Sequence, residues 1–422
     1  MSAKVTVAVI GAGPAGLRAA SELAPKVDGP VVVFDREATA GGVPRHCHHP
    51  GYGMRDLHRF ISGPAYAHRL VAAAQRAGAQ IRTSTMVTGW DGERGLFVTS
   101  PGGREQVSAD AIIIATGARE RPRAARWIPG DRPAGVFTTG ELQQAVHLEH
   151  QKVGGRAVVV GSELVSWSAV LTLRSAKVKT VAMVTESPRP EAYAAFTYPG
   201  KLLFSTPLVK GSRVVRVIGR GRVSGVEIER VATGQRRVIA CDMVVFTGDW
   251  IPDHELVRLG GIELDPATLG PRVDGSLATS RPAVFAAGNV IHPVDTADVA
   301  ALDGAHVART VLEYLGRAPA GQVPAGVVPV DVAAVGVVAD APFKWVTPSL
   351  VRPGGPAAPR ERLLLWPEQH VTRPALVAKQ DGQVIGKAKV AWPAAPGRVF
   401  RAPWGLVADA RPGGGEVHIG LN

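Results

Sequence analysis

The chain has 422 residues, 45% hydrophobic and 20% charged, which is ordinary globular composition and length enough for two or three domains with cores of their own. Two widely separated cysteines, Cys47 and Cys241, exclude a disulfide framework, a structural zinc site or an iron–sulfur cluster built within the chain, and suit a reducing cytoplasm. The net charge of +12 invites acidic partners, yet the arginines are scattered, with no lysine block and no basic helix interleaved with aromatics, so nucleic acid binding is not expected. A solvated basic surface is the plain reading of that charge; an acidic partner protein or an anionic membrane face is the sharper one. No basic leader precedes a cleavable apolar core, and no apolar run is long enough to span a bilayer.

The first fifty residues carry the clearest signal. Val5-Thr6-Val7-Ala8-Val9-Ile10 reads as a buried strand, Gly11-Ala12-Gly13-Pro14-Ala15-Gly16 follows at once, and 17–23 reads as a helix. A second apolar strand, Val31-Val32-Val33-Phe34, ends in Asp35. Strand, G-x-G-x-x-G, helix and acid in register form a dinucleotide fingerprint. Gly11 permits the tight turn, Gly13 lets a pyrophosphate approach, Gly16 lets helix and strand pack, and Asp35 can accept from a ribose hydroxyl. The alternative is a glycine-rich turn that binds nothing.

After Asp35 comes a loop rich in Gly, His and Pro, from Gly41-Gly42 through Arg45-His46-Cys47-His48-His49 to Met54. A metal is not expected there, because adjacent loop residues rarely converge on one ion and no fourth ligand stands at a recognisable spacing. Residues 64–77 read as a helix with Pro64 in its first turn and Gly78 at its end, and 81–87 and 96–100 as strands. Two further strands run into small-residue turns: 111–114 into Ala115-Thr116-Gly117, and 284–286 into Ala287-Gly288-Asn289. Between them, 157–160 is a strand ending at Gly161, with a helix over 163–175 and a strand over 180–184. In this second unit Glu163 and Ser166 stand where glycine is needed, and Glu163 would put a carboxylate where a pyrophosphate must approach. That predicts a nicotinamide site lost or changed, with retained NAD(P)H binding, or another nucleotide in the same cleft, as the alternatives. Val244 to Asp249 closes the second unit, 307–316 is the returning helix of the first, and 318–329 is a Pro/Gly/Ala-rich linker. Beyond it, 363–366, 375–378 and 384–385 read as strands, the last two joined by an Asp381-Gly382 hairpin turn.

Gly11, Gly13 and Gly16, Asp35, Gly41-Gly42, Ala115-Thr116-Gly117 and Ala287-Gly288-Asn289 together resemble the flavoproteins of the pyridine nucleotide–disulfide oxidoreductase group. The resemblance implies an α/β fold of two Rossmann-like dinucleotide-binding domains, glutathione-reductase-like with the second inserted in the first, plus a small C-terminal β domain. The expected boundaries are 1–120 and 280–318 for the FAD domain, 121–279 for the degenerate second domain and 330–422 for the β domain. It implies FAD as cofactor, with contacts at Gly11, Gly13, Ala15, Gly16, Asp35, Arg36, Gly42, Val87, Thr116, Gly117, Gly288 and Asn289. Val87 occupies the place that contacts adenine through its backbone. The group usually has Asp where Asn289 stands, and an amide still hydrogen-bonds a ribityl hydroxyl. A redox cysteine pair is missing, so an intrachain dithiol cycle is excluded. Arg45, His46, Cys47 and His48 are the candidates to face the flavin ring, stabilise its reduced anion or shuttle a proton; packing and hydrogen bonding within the loop is the alternative.

Gly41-Gly42 through Cys47-x-His49 to Gly51-Tyr52-Gly53, then Phe60 to Ala67, is similar to the flavoprotein subunits accompanying anaerobic-type glycerol-3-phosphate dehydrogenases. It is also similar to FAD subunits of opine, hydroxyproline and hydrogen-cyanide-forming amine dehydrogenases. This branch implies a small-molecule substrate, with a second FAD dehydrogenase subunit and a small iron–sulfur protein as partners, since no cysteine follows Cys241 to hold a cluster in this chain. The expectation is a cytoplasmic electron-transfer subunit, with peripheral membrane contact through a complex left open. A self-sufficient NAD(P)H reductase and a nucleotide-binding assembly subunit without turnover are the competing readings.

Overall fold

The computed structural model describes residues 3–193, 197, 205–316 and 334–422, so the 318–329 linker lies outside the described residues. By contacts the chain divides into two units, Met1–Arg45 with Gly51–Ala118 and Pro252–Asn422, and His46–Pro50 with Arg119–Ile251.

The first unit is built on a seven-stranded sheet. Gln80–Arg82, Val31–Phe34, Ala3–Ile10 and Gly103–Ile114 run parallel in that order, and Val284–Ala286 adds a further parallel partner to Gly103–Ile114. Valine and isoleucine fill these strands because both faces are covered; Val7, Val9, Val33, Ile112 and Ile113 are fully buried. The remaining edge is an antiparallel ribbon, Met86–Asp91 on Gly95–Ser100 on the first half of Gly103–Ile114. The 81–87 strand of the sequence reading is therefore two pieces. Ser84 takes a left-handed conformation (φ 47°), and the amides of Ser84 and Thr85 bond the carbonyls of Glu37 and Asp35. The chain thus leaves the parallel edge and re-enters as the ribbon.

Helices Pro14–Leu23, Gly63–Arg76 and Ala297–Gly316 belong to this unit. The last begins ten residues before the expected 307. Its first half carries Asp298 and Asp303, both buried and paired, with Arg55 (3.2 Å) and Arg360 (2.6 Å). Gly304 has no side chain because its Cα lies against the Ala15 carbonyl of the first helix.

Residues 334–422 form a five-stranded and a three-stranded sheet around an apolar core that includes Phe343, Leu363, Leu365, Phe400, Leu406 and Ile419. The Asp381-Gly382 turn is as expected, with φ of 50° and 76° in the hairpin between Ala375–Gln380 and Gln383–Lys389. By contacts these residues group with the first unit. Three ion pairs join them to it: Arg352 with Asp274 (3.2 Å), Arg360 with Asp303, and Arg401 with Asp295 (2.7 Å), each aspartate almost wholly buried.

The second unit has a five-stranded parallel sheet, in the order Val136–Thr138, Met243–Phe246, Arg156–Val160, Lys179–Val184 and Leu208–Val209, and a three-stranded antiparallel sheet over 212–240. Its helix Leu164–Ser175 follows the Arg156–Val160 strand. Two expected boundaries move. The second domain was expected to run to 279, but 252–279 folds with the first unit, where the Trp90 indole donates to the Leu256 carbonyl (2.8 Å) and Leu256, Val257 and Ile262 enter the core. His46–Pro50, expected in the FAD domain, packs with the second unit instead.

Candidate functional site

In the first unit the parallel strands end in step. Ile10 lies opposite Phe34 and Ile114, and Ile114 opposite Ala286. The Gly11 amide bonds the Phe34 carbonyl, the Ala115 amide bonds Ile10, and the Ala287 amide bonds Ile114. Four loops thus leave one edge together: Gly11–Gly13, Asp35–Arg36, Ala115–Gly117 and Ala287–Asn289. The carboxyl edge of a parallel sheet is where α/β folds take their ligands.

The first loop is built for close approach. Gly11 holds φ 107° against the Ala115 carbonyl, a conformation and a gap that no side chain tolerates. Gly13 faces open space, with nothing within 4 Å of where a Cβ would stand. It caps the helix Pro14–Leu23 without any side-chain bond to the first turn. The first turn of a helix leaves N–H groups without intrahelical partners and carries the positive end of the helix dipole. An open, uncapped N-terminus behind a glycine fits a pyrophosphate. Gly42 packs against the Gly13 Cα, and Gly288 against the Ala15 and Ala300 methyl groups, so both loops close on the same turn.

Asp35 Oδ2 accepts from the Ala12 amide (2.6 Å) and Oδ1 from the Glu37 amide (2.8 Å). Each oxygen keeps a lone pair for a ribose hydroxyl. Arg36 pairs with Asp253 (3.0 Å), whose amide and carbonyl are bonded to the Gly117 carbonyl and the Thr116 hydroxyl. Asp253 thereby ties the ribose loop to the Thr116-Gly117 loop, a role with no motif to announce it. Val87 is buried in the Met86–Asp91 ribbon. Asn289 departs from its expected use: its amide nitrogen donates to the Asp295 carbonyl (3.0 Å) and its oxygen accepts from the Asp295 amide (3.1 Å). Its side chain clamps its own loop.

Of the four candidates to face the flavin, Arg45 falls in the first unit and His46, Cys47 and His48 in the second. Arg45 stays with the first unit, bonding the Thr39 carbonyl (2.6 Å) and Glu37 (3.5 Å). In the second unit Cys47 is buried and its thiol bonds Gln143 Oε1 (3.1 Å). The Gln143 amide reaches the Ser168 hydroxyl (2.7 Å), which also meets His49 Nε2 (2.6 Å). His48 stacks on His147 with ring centroids 4.1 Å apart, and burial, then the neighbouring His48, pulls His147 down to about 4. His46 is buried as well. Hydrogen bonds and ring stacking hold this turn within the second unit. Among the described residues no three His, Cys, Asp or Glu side chains converge as metal ligands.

The matching edge of the second sheet is filled. Glu163 is the N-cap of Leu164–Ser175, its amide donating to Ser166 Oγ (3.1 Å), which bonds Thr247 Oγ1 (2.7 Å). The Glu163 carboxylate lies against Gly248 (φ 63°), in the space a Cβ there would take. Burial, then the charge of Glu191, pushes its pKa up to about 8. Glu120 accepts from the Gly140 and Gly248 amides and is pushed up to about 7 by burial. Glu191 accepts from Ser162 and Thr185, and Arg126 donates to the Thr247 and Gly248 carbonyls. Sequence reasoning found Glu163 and Ser166 but not Glu120, Glu191 and Arg126, which come from three distant segments.

One open and one filled dinucleotide loop, each at the carboxyl edge of a parallel sheet, define a two-fold dinucleotide-binding class of protein. The family model described as Pyridine nucleotide-disulphide oxidoreductase matches residues 5–304, and the chain belongs to that family. Its members are FAD-binding flavoproteins, and the chain is an FAD-dependent oxidoreductase. It is similar to an opine oxidase component of Agrobacterium tumefaciens (strain Ach5), 25% identical over 311 residues covering 67% of this chain and 60% of that one. It is also similar to the beta component of the NADP(+)-dependent formate dehydrogenase of Moorella thermoacetica, 29% identical over 341 residues, 73% of this chain and 44% of that one. The chain spans about 60% of the length of the opine oxidase component it matches. In fold it resembles Lactococcus lactis thioredoxin reductase, with a TM-score of 0.64, 21% identity and coverage of 74% of this chain and 100% of that one. No helix among the described residues is long and apolar enough to cross a membrane.

Proposed function

We propose that this chain is the FAD-binding subunit of a multi-subunit dehydrogenase, taking electrons from a substrate-oxidising partner flavoprotein and passing them to an acceptor such as a small iron–sulfur protein. The observation that carries the reading is the contrast between the two loops. Gly13 leaves its helix N-terminus open, whereas Glu163 places its carboxylate beside Gly248 in the corresponding position of the second unit. A dinucleotide phosphate entering there must displace a part-buried side chain and meet Glu120 and Glu191 as well. Similarity to components of opine oxidase and formate dehydrogenase supports a place in an assembly.

Bound FAD supplies the electron chemistry. The chain's part is to hold it. Gly11, Gly13, Ala15, Gly16 and Gly42 would cradle the pyrophosphate, Asp35 and Arg36 the adenosine ribose, and Val87 the adenine edge through its backbone. Thr116, Gly117, Gly288 and the Asn289 backbone would flank the riboflavin half. For the substrate, similarity to the opine oxidase components favours an opine or imino acid oxidised by the partner. The loop motif around Cys47 keeps glycerol 3-phosphate as the second reading. The test is the visible spectrum of the purified chain under anaerobic conditions. Flavin absorbance unchanged on adding NADH is the expected result; bleaching within the mixing time overturns the reading and makes the chain a reductase in its own right.

A further inference from the structure

The first unit holds a second recess that the flavin reading does not use. It has two parts. An outer cleft of ≈ 380 Å³ is lined by Ala357, Arg360, Glu361, Arg362, Pro403 and Trp404. A small inner pocket of ≈ 20 Å³, room for about one water, reaches His292, Asp303 and Thr347. Arg360 and Arg362 line both parts.

Four observations mark it as more than a crevice. Arg362 makes no ion pair or side-chain hydrogen bond among the described residues, and Arg360 uses only Nη1, on Asp303 (2.6 Å). The turn that presents them holds two successive non-glycine residues left-handed, Arg360 at φ 59° and Glu361 at φ 53°. Such conformations are strained for non-glycine residues and persist where surroundings fix them, often at ligand sites. On the floor His292, only 3% exposed, has a buried Nδ1 with no partner, and the nearby Asp295 Oδ2 is likewise buried and unpartnered. Buried polar atoms in folded proteins are almost always paired, so an unpaired one beside a cavity points to an occupant. Finally, Trp404 and Pro403 give the cleft a flat apolar wall next to the two cations.

We propose that this recess binds a small anionic metabolite, its phosphate or carboxylate group held by the Arg360 and Arg362 guanidinium groups and its body lying along Pro403 and Trp404. Guanidinium groups match both kinds of oxyanion in planar, charge-assisted geometry, and a free donor fork loses little entropy on binding. Neutral His292 at the inner end reaches the ligand only through a water, burial having pulled its pKa down to about 4. The pairing of Arg360 with Asp303 fixes that guanidinium before the ligand arrives, while Glu361 on the rim opposes an anion.

The test is calorimetric titration of the full-length, flavin-loaded protein with sodium phosphate and, separately, sodium succinate at constant ionic strength. Saturable heat from one or both identifies the head group, and the absence of saturable heat from either overturns the proposal. Arg362→Gln is expected to weaken binding by about tenfold or more, the loss of one charge-assisted contact. Unchanged affinity in a folded, yellow R362Q protein also overturns it. Should R362Q lose its flavin, Glu361→Gln decides. Removing the rim carboxylate is expected to tighten anion binding, and no change in affinity sinks the assignment.

Discussion

Replacing Glu163 by Gln tests the filled second loop directly. In the native chain the carboxyl has a pKa of about 8 against an ordinary glutamate value of 4.5, chiefly through burial. The folded state therefore holds this proton more tightly than the unfolded one, and stability falls as pH rises from about 4.5 to about 8. At pH 6 the group has cost about 2 kcal/mol, and by pH 9 roughly 5 kcal/mol, at about 1.4 kcal/mol per pKa unit. Gln keeps the shape and never ionises, so E163Q should gain on the native protein by roughly 3 kcal/mol between pH 6 and pH 9. In thermal melts the difference in Tm should widen by several degrees across that window, because a few kcal/mol moves a unit of this size by that much. Melts in matched buffers, with flavin content checked at each pH, measure it. A Tm difference that stays flat across the window would mean that the carboxylate is ionised and hydrated at neutral pH, and the picture of a covered side chain filling the cleft would be wrong.

Two further predictions rest on the same geometry. Gly13→Val puts a branched side chain into the open space before the uncapped helix, so the purified protein should be colourless, with far-ultraviolet circular dichroism unchanged; a yellow G13V protein refutes the pyrophosphate assignment. Cys47→Ala removes a buried thiol bonded to Gln143 and should leave the rate of flavin reduction by the partner flavoprotein within about twofold while lowering Tm slightly, since a typical net hydrogen bond is worth about 1 kcal/mol. A loss of about a hundredfold in that rate would return Cys47 to the flavin chemistry.

What a sequence shows of such a protein depends on how far apart the partners are. The strand–glycine–helix–acid unit is local, so its fingerprint could be read residue by residue, and so could the damage at Glu163 and Ser166. The 297–306 half of the last helix was missed because Asp298 and Asp303 look like solvent-facing polar residues until Arg55 and Arg360 are brought to them from segments 243 and 57 positions away. The His46–Pro50 turn was read with the flavin because it follows the ribose-binding acid in sequence. Two of its partners, Gln143 and Ser168, lie 96 and 119 positions away, and nothing local announces them. Asn289 shows the same limit at short range: an amide in place of a carboxylate has both a donor and an acceptor, and the loop to Asp295 uses both.

The two glycine loops also form an internal control for the functional reading. Both stand at the start of a helix after a buried parallel strand, so both inherit the same dipole and the same unpaired amides. What differs at the mouth is the side chain at the second motif glycine, with Ser166 in place of the third. At Gly13 there is none, and the amides await a ligand. At Glu163 the chain brings its own acid to the helix N-terminus, and Gly248, with no Cβ, makes room for it. The raised pKa follows from this arrangement, because the helix end favours the anion less than burial and Glu191 disfavour it. A nicotinamide dinucleotide would have to expel a group that at neutral pH is largely protonated, so occupancy is the first obstacle and charge a second that grows above pH 8. Charge alone would predict that NADH already reduces the flavin at neutral pH and fails only above pH 8; occupancy predicts no reduction at either pH, and that only shortening residue 163, as in Glu163→Gly, opens the cleft.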